Sequence, residues 1–208
     1  MTIAFEWERI REKQPLIHQI TNYVTVNDCA NITLACGASP VMADAKEEVA
    51  EMAGQSQAVV LNIGTLNPPL IEAMLEAGQA ANQKQVPVVL DPVGAGATKL
   101  RLQSLQKLLE QIHFAIIRGN ASEISTLIGI REGRGVDATG TDIERLKPRL
   151  RVWAKERNTV IAVSGAVDYV TDGVYEAHIA NGTPLLTRVT GTGCMTTAVM
   201  GCCVGAGL

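Results

Sequence analysis

Aromatic side chains are scarce in this chain of 208 residues, of which they make up 3%. Proteins that bind single-stranded nucleic acid usually stack the bases on exposed aromatic rings, so this scarcity argues against such a surface. Lysines and arginines form no dense cluster, and the formal net charge is −3. Because phosphate backbones are bound by concentrated positive charge, no nucleic-acid partner is predicted.

The residue pairs that usually hold structural metals are missing as well. The five cysteines form no CxxC pair, and their odd number argues against a framework of disulfide bonds. The three histidines lie far apart, so a histidine-based metal site is not predicted. The amino terminus is charged rather than signal-like, and no apolar run is long enough to cross a bilayer. We therefore expect a cytoplasmic protein without a membrane partner.

Several common catalytic and nucleotide-binding motifs are also absent. The sequence has no GxxxxGK[ST] loop, no GxGxxG after its first strand-like segment and no GxSxG elbow. These absences argue against P-loop kinases, dinucleotide-dependent dehydrogenases and α/β hydrolases.

What the chain does contain is a regular alternation of short apolar runs and amphipathic stretches. Strands are predicted at residues 16–20, 57–64, 86–94, 114–120 and 159–165. Helices are predicted at residues 27–36, 68–85 and 100–112 and from residue 121 onward. After a polar, glycine-rich loop, a further helix is predicted at residues 143–158, with an interruption at Pro148. Asp172 and Gly173 predict the turn of a β-hairpin within residues 168–179.

This order predicts an α/β fold in one domain that spans residues 1–208. Strand–helix alternation gives βαβ units, a mostly parallel central sheet and helices on both faces, which is a three-layer α/β/α arrangement. In such sheets, ligands bind beyond the carboxyl ends of the strands. Four of the predicted ends carry unusual polar or glycine-rich segments: "NIGTLN", "DPVGAGATKLR", "RGNASE" and "SGAVD". A small-molecule site is therefore predicted at this edge.

Two of these segments carry carboxylates that allow two interpretations. Asp91 opens "DPVGAGA", where it could accept hydrogen bonds from the loop or hold Mg²⁺ near a phosphate. In "RGNASEI", Asn120 and Glu123 have the spacing of a capping box at a helix start. The same helix terminus would attract an anion, so Arg118 could contact a phosphate and Glu123 could reach a metal ion.

Cys194 lies in the sharpest motif of the chain, "TGTGC", just ahead of a long apolar helix. The glycines let the backbone approach a ligand closely and turn its N–H groups toward it. The positive end of the helix adds to this anion-binding nest, where negative charge develops during phosphoryl transfer. Such a setting favours a thiolate at Cys194. The alternative is a small buried cysteine in a tight turn.

Five blocks, in this order, resemble those of the hydroxyethylthiazole kinase family of the ribokinase-like superfamily: "HQITNYVTVNDCANITLACGASPVMA", "VVLNIGTLN", "VPVVLDPVGAGAT", "IIRGNASEI" and "VTGTGCMTT". They extend from His18 to Thr197, which is nearly the whole chain. The resemblance implies a ribokinase-like fold. It also implies phosphorylation of the hydroxyl of 4-methyl-5-(2-hydroxyethyl)thiazole with ATP and Mg²⁺, in thiamine salvage. A homotrimer with active sites between subunits is implied in the same way.

The resemblance also implies roles for individual residues. Contact with the thiazole alcohol is implied for Asn22, Met42, Gly191 and Gly193. Contact with ATP is implied for Arg118, Ser164 and Thr190. Organisation of Mg²⁺ and the phosphates is implied for Asp91 and Glu123. Cys194 takes the position of the catalytic base, where related sugar and vitamin kinases usually have aspartate.

Members of this family continue well past the helix that follows "GTGC", so the sequence is expected to lack a C-terminal segment. Two other interpretations stay open. The chain could be another ribokinase-like enzyme, such as a hydroxymethylpyrimidine-type kinase or a nicotinamide-nucleotide hydrate dehydratase, although residues 22–42 argue against both. It could also be a catalytically inactive thiazole-binding subunit. Turnover of the thiazole alcohol with Mg·ATP distinguishes the three.

Overall fold

The computed structural model of the chain describes residues 3–129 and 143–208, so the predicted glycine-rich loop before residue 143 lies outside the described residues. The strands are β1 (Leu16–Ile20), β2 (Ser39–Val41), β3 (Ala58–Asn62), β4 (Val88–Asp91), β5 (Ile116–Asn120), β6 (Val160–Ser164), β7 (Asp168–Thr171) and β8 (Glu176–Ile179). The helices are α1 (Ile3–Lys13), α2 (Val26–Cys36), α3 (Val49–Gln55), α4 (Pro68–Gln83), α5 (Lys99–Gln111), α6 (Ala121–Leu127), α7 (Ile143–Arg157) and α8 (Thr192–Gly205). A short 3₁₀ helix, Pro184–Arg188, precedes α8.

The eight strands form one sheet in the order β2-β1-β3-β4-β5-β6-β7-β8. The first six are parallel, and β7 and β8 are antiparallel at one edge. The predicted hairpin turn is confirmed, because Oδ1 of Asp172 accepts hydrogen bonds from the N–H groups of Val174 and Tyr175, both at 2.7 Å. The chain runs from β1 to β2 on one side and then to β3 on the other. The order therefore reverses between β1 and β3, where open α/β sheets bind ligands.

Buried side chains alternate along the strands and pack against helices on both faces of the sheet. On β3, Val59 and Leu61 belong to the core built with α3, α4, α5, α6 and α7. Ala58 and Val60, between them, belong to the core built with α1, α2 and α8. The predicted three-layer α/β/α fold with a mostly parallel sheet is thus confirmed. Burial of a large aliphatic side chain stabilises the fold by about 1.5–3 kcal/mol, so these two cores hold the strand ends rigidly.

Helix α7 differs from its prediction, because it is continuous through Pro148. A proline at the sixth position removes only the one N–H that would donate to the carbonyl of Glu144. Leu146, Leu150 and Ala154 are all buried and hold the helix against the core. Packing therefore outweighs the local preference of the proline.

Helix α3 and strand β2 were not predicted, because seven and three residues give too short a periodic pattern. Helix α1 was not predicted either. The remaining strands and helices lie within a few residues of their predicted positions. Of the described helices, none combines the length and the apolar character that spanning a membrane requires.

Candidate active site

Polar side chains from three strand ends and one helix start meet at the point where the strand order reverses. Asn22 follows β1, Asn62 ends β3, Asp91 ends β4, and Cys194 lies in the first turn of α8. Asn62 and Asp91 are direct partners in the register of β3 and β4, so the sheet sets them at the same level. Three of these four residues are site residues that the sequence predicts.

The sulfur of Cys194 is contacted by two side-chain amides. Nδ2 of Asn22 lies 3.3 Å from Sγ, and Nδ2 of Asn62 lies 3.2 Å from it. The two amides are also bonded to each other, since Nδ2 of Asn22 donates to Oδ1 of Asn62 at 3.0 Å. Hydrogen-bond donors of this kind favour negative charge on the atom that accepts them. The cysteine is half-buried rather than enclosed in the core.

Asp91 lies behind this pair and is 1% exposed. Its Oδ2 accepts hydrogen bonds from Nδ2 of Asn62 at 3.0 Å and from the hydroxyl of Thr197 at 2.9 Å. Burial raises the pKa of Asp91 to about 6, and the nearby positive charge of Arg118 opposes that rise. Oδ1 has no hydrogen-bond partner among the described residues. A buried carboxylate oxygen of this kind is suited to accept a cation or a water molecule.

Arg118 and Ser164 form the second group beside the start of α8. Nη2 of Arg118 donates to the hydroxyl of Ser164 at 2.7 Å, which joins neighbouring strands β5 and β6. Gly193 makes room for the guanidinium, because a Cβ at this position would collide with Nη1 of Arg118. Nε of Arg118 is buried and has no partner among the described residues. The guanidinium and the unpaired N–H groups of the helix start together favour an anion.

Glu123 has the capping role that its spacing predicts. Its Oε2 accepts the N–H of Asn120 at 2.8 Å, and its own N–H donates to Oδ1 of Asn120 at 2.9 Å, which completes a capping box. Oε1 accepts the N–H of Gly94 at 2.8 Å. The carboxylate thereby ties the "RGN" segment to the "DPVGAGA" loop. Glu123, Gly94 and Ser164 line a cavity of about 870 Å³, the Ser164 cavity.

Met42 follows β2 and lines a different cavity of about 660 Å³, the Met42 cavity. Nε2 of His18 lies 2.6 Å from the carbonyl oxygen of Ala43, and this contact anchors the loop that carries Met42. Burial lowers the pKa of His18, so a neutral ring fills this position. Gly64 also lines the Met42 cavity and donates its N–H to Oδ1 of Asn62 at 2.9 Å. The cavity therefore adjoins the amides that hold Cys194.

Gly191 and Thr190 form the turn before α8. Gly191 has a φ of 81°, in the left-handed region that favours glycine, and a Cβ there would lie 2.6 Å from Cγ2 of Thr25. Both observations require glycine at this position. Thr190 is exposed on the surface of the turn.

The structure thus brings Asn22, Asp91 and Cys194 into one hydrogen-bonded network and places Arg118, Ser164 and Gly193 in a second group. Met42 lines the Met42 cavity and Glu123 lines the Ser164 cavity, and neither joins the two groups. Sequence reasoning missed two members of the first network, Asn62 and Thr197. The sequence does carry a signal for Asn62. This residue ends the apolar run "AVVLN" just as Asp91 ends the apolar run "VVLD".

No group of three or more histidine, cysteine, aspartate or glutamate side chains in the described parts of the chain is arranged to hold a metal ion. Mg²⁺ is commonly bound by only one or two carboxylates, with water and substrate phosphates as its other ligands. The partner-free Oδ1 of Asp91 fits that requirement. Both oxygens of Glu123 already accept backbone N–H groups, so Asp91 is the stronger candidate.

A model of the hydroxyethylthiazole kinase family matches residues 7–207. The hydroxyethylthiazole kinase of Thermoanaerobacter sp. (strain X514) is 54% identical over 193 residues, which cover 92% of this chain and 73% of that relative. The solved structure of hydroxyethylthiazole kinase from Pyrococcus horikoshii OT3 matches with a TM-score of 0.87 and 46% identity, over 97% of this chain and 75% of that one. A ribokinase-like superfamily protein from Enterococcus faecalis V583 has 12% identity and a TM-score of 0.64, over 96% of this chain and 73% of that one, which shows the fold alone. The fold is therefore ribokinase-like, and the chain belongs to the hydroxyethylthiazole kinase family.

Proposed function

We propose that this protein transfers the γ-phosphoryl group of ATP to the hydroxyl of 4-methyl-5-(2-hydroxyethyl)thiazole, the step that thiamine salvage requires. The observation that carries the proposal is the setting of Cys194. Its sulfur accepts two amide N–H groups at the start of a helix whose first turn also faces Arg118. A proton acceptor and an anion-binding nest thus lie side by side, as phosphoryl transfer to an alcohol needs.

The two cavities give the substrates separate places. The Met42 cavity, at about 660 Å³, is large enough for a small heterocycle and adjoins Asn62 through Gly64. The Ser164 cavity lies on the other side and adjoins Arg118 through Ser164. The thiazole alcohol would occupy the first with its hydroxyl toward Cys194. The nucleotide would occupy the second with its phosphates toward the start of α8.

In the reaction, the hydroxyl oxygen forms a bond to the γ-phosphorus while the bond from that phosphorus to the bridging oxygen breaks. Sγ of Cys194 takes the proton that the hydroxyl loses. The N–H groups in the first turn of α8 and the guanidinium of Arg118 stabilise the negative charge of the phosphoryl group. Because that transition state is loose, positioning and charge stabilisation contribute more than early removal of the proton.

Asp91 and Glu123 are the residues that would hold Mg²⁺. When bound, Mg²⁺ supplies positive charge that neutralises the phosphates and orients them. Asp91 offers an oxygen without a partner, while Glu123 fixes the loop of Gly94 at the rim of the Ser164 cavity. Asp91 also accepts hydrogen bonds from Thr197 on α8 and from Asn62, which contacts the sulfur.

The proposal includes a homotrimer with active sites between its subunits, working in the cytoplasm. Two large side chains next to the Met42 cavity support an interface there, since Tyr23 is 79% exposed and Val24 is 58% exposed. Apolar side chains grouped at a cavity rim are typical of a surface that another subunit covers. Sedimentation equilibrium tests this part. A monomer at assay concentration would contradict it.

Purified protein, incubated with the thiazole alcohol, ATP and Mg²⁺, tests the activity directly. We expect one thiazole phosphate and one ADP per turnover. Hydroxymethylpyrimidine as the alternative acceptor separates this function from that of the related vitamin kinases. Gly54→Ala, a change in helix α3 outside the candidate site, is purified and assayed in parallel. It shows whether a loss of turnover comes from purification. Tight thiazole binding without turnover would instead favour the inactive binding subunit.

A further inference from the structure

We propose that Asn62, at the end of β3, is a positioning residue that holds the sulfur of Cys194 as a hydrogen-bond acceptor and links it to Asp91. The inference rests on the proposed function, because it assigns Asn62 a part in preparing the base. Nδ2 of Asn62 lies 3.2 Å from Sγ of Cys194 and 3.0 Å from Oδ2 of Asp91. One amide nitrogen therefore contacts both the base and the buried carboxylate.

The orientation of the Asn62 amide follows from its other contacts. The N–H of Gly64 lies 2.9 Å from Oδ1 of Asn62, and an N–H group can only donate. The atom facing Gly64 must therefore be the carbonyl oxygen, and the nitrogen must face Asp91 and Cys194. An amide nitrogen carries two hydrogens, which matches the two acceptors in reach. Neither hydrogen is left over.

Asn22 is fixed in the same way and depends on Asn62. Oδ1 of Asn22 accepts the N–H of Thr25 at 3.1 Å, so its nitrogen faces the sulfur. That nitrogen donates to Oδ1 of Asn62 at 3.0 Å and to Sγ of Cys194 at 3.3 Å. Loss of Asn62 would remove one donor from the sulfur and one of the contacts that hold the other. The sulfur would then keep only the Asn22 donor, which Thr25 still holds.

The charged and titratable groups around Cys194 show why an amide is needed between Asp91 and the sulfur. Asp91 lies at the end of β4, on the side of the sheet. Asp28 and Cys29 lie on α2: Asp28 is beside Gly191, and Cys29 is close enough to Cys194 for the two groups to interact electrostatically. Arg118 on β5 is the cation that faces the first turn of α8. The Asp91 carboxylate and the Cys194 sulfur are both hydrogen-bond acceptors, so a donor between them satisfies both. Asn62 supplies hydrogens to both.

The test measures the reactivity of the Cys194 sulfur and does not depend on catalytic turnover. Iodoacetamide alkylation of Cys194 is followed by mass spectrometry of its peptide between pH 6 and 10, in wild type and in Asn62→Leu. We expect Asn62→Leu to react about tenfold more slowly at pH 7, because the thiolate is the form that iodoacetamide attacks and the variant lacks a hydrogen-bond donor to that sulfur. Turnover should fall by at least the same factor, with KM for the thiazole alcohol within about twofold.

Asn82→Ala is the control, since the Asn82 amide likewise both donates and accepts: it donates to the carbonyl oxygen of His113 and accepts the N–H of His113, at the opposite ends of the strands. It should leave the alkylation profile unchanged. Asn62→Ser, which keeps an acceptor for the N–H of Gly64, decides the matter if Asn62→Leu does not fold. An unchanged alkylation profile in the folded Asn62 variant overturns the inference. Absence of wild-type turnover would overturn the proposed function, while the alkylation comparison would still judge the role of Asn62.

Discussion

Replacement of Gly193 by alanine tests the phosphate end of the site without removing any functional group. Gly193 is the second residue of α8, and a Cβ added there would collide with Nη1 of Arg118 and lie 3.3 Å from its Cζ. The obstacle is the far end of a flexible side chain, so the guanidinium can move while the backbone stays in place. We therefore expect Gly193→Ala to fold normally and to displace Arg118 from Ser164.

The effect of Gly193→Ala on stability and its effect on ATP affinity can be estimated separately. Alanine is favoured over glycine within a helix by about 0.5–1 kcal/mol, which offsets part of the cost of moving Arg118. The lost hydrogen bond from the charged Arg118 to Ser164 is worth about 1.5–3 kcal/mol. Stability should then fall by about 0.5–2.5 kcal/mol. If Arg118 contacts the ATP phosphates, loss of a contact of similar strength weakens ATP binding by about 10- to 100-fold.

Isothermal titration with ATP, titration with the thiazole alcohol and thermal unfolding together measure these effects. Gly54→Ala is the matched control, because its Cβ would meet only Cγ of Lys84, at an ordinary 3.6 Å. We expect ATP affinity to fall in Gly193→Ala alone, with thiazole affinity nearly unchanged. Equal ATP affinity in wild type and Gly193→Ala, together with the loss of stability that shows Arg118 to be displaced, would refute the assignment of Arg118 to the phosphates.

Three further predictions concern the base, the buried carboxylate and the core. Cys194→Ser should lower turnover by about 10²–10⁴-fold, and Cys194→Asp should retain more activity because a carboxylate accepts the same N–H groups; serine equal to wild type would exclude the base role. Asp91 has a raised pKa in the folded state, so its stabilising effect is complete below pH 4 and is lost as pH rises through about 6. In metal-free protein the stability of Asp91→Asn relative to wild type should therefore be higher at pH 7.5 than at pH 4.5, by about 2 kcal/mol in urea unfolding; an equal difference at both pH values would contradict this. Gly78→Ala would drive a Cβ into Ile112 and should cost about 1–3 kcal/mol without changing ATP affinity; unchanged stability would show that this core is loosely packed.

The fold could be predicted where the sequence carries a long pattern. Strands β3 and β4 are buried on both faces, so each is a continuous apolar run bounded by polar or glycine residues. Strand β2 has only three residues, of which none is buried, and nothing local marks it as part of the sheet. Pro148 gave the wrong local signal, because the contacts that keep α7 continuous come from the rest of the core.

The candidate site could be predicted only as far as strand ends and glycines reveal it. Asp91, Arg118 and Ser164 end or follow apolar runs, and a parallel sheet collects such residues at one edge. Asn62 and Thr197 were missed because their importance comes from pairing across the fold. The hydrogen bond from Thr197 to Asp91 joins residues 106 positions apart. No local pattern contains that information.

The small apolar residues of α8 help to position Cys194. A Cβ at Gly201 would lie 2.6 Å from Cγ2 of Val60, and a Cβ at Gly205 would lie 2.9 Å from Cδ1 of Ile17. The two glycines therefore let the helix lie unusually close to β1 and β3. At its far end, Nζ of Lys13 donates to the carbonyl oxygen of Ala206 at 2.7 Å, which satisfies one of the last carbonyl groups. Because a helix is rigid, this close packing brings its first turn within hydrogen-bonding distance of the strand ends. The position of the sulfur thus depends on small residues two and three turns away along α8.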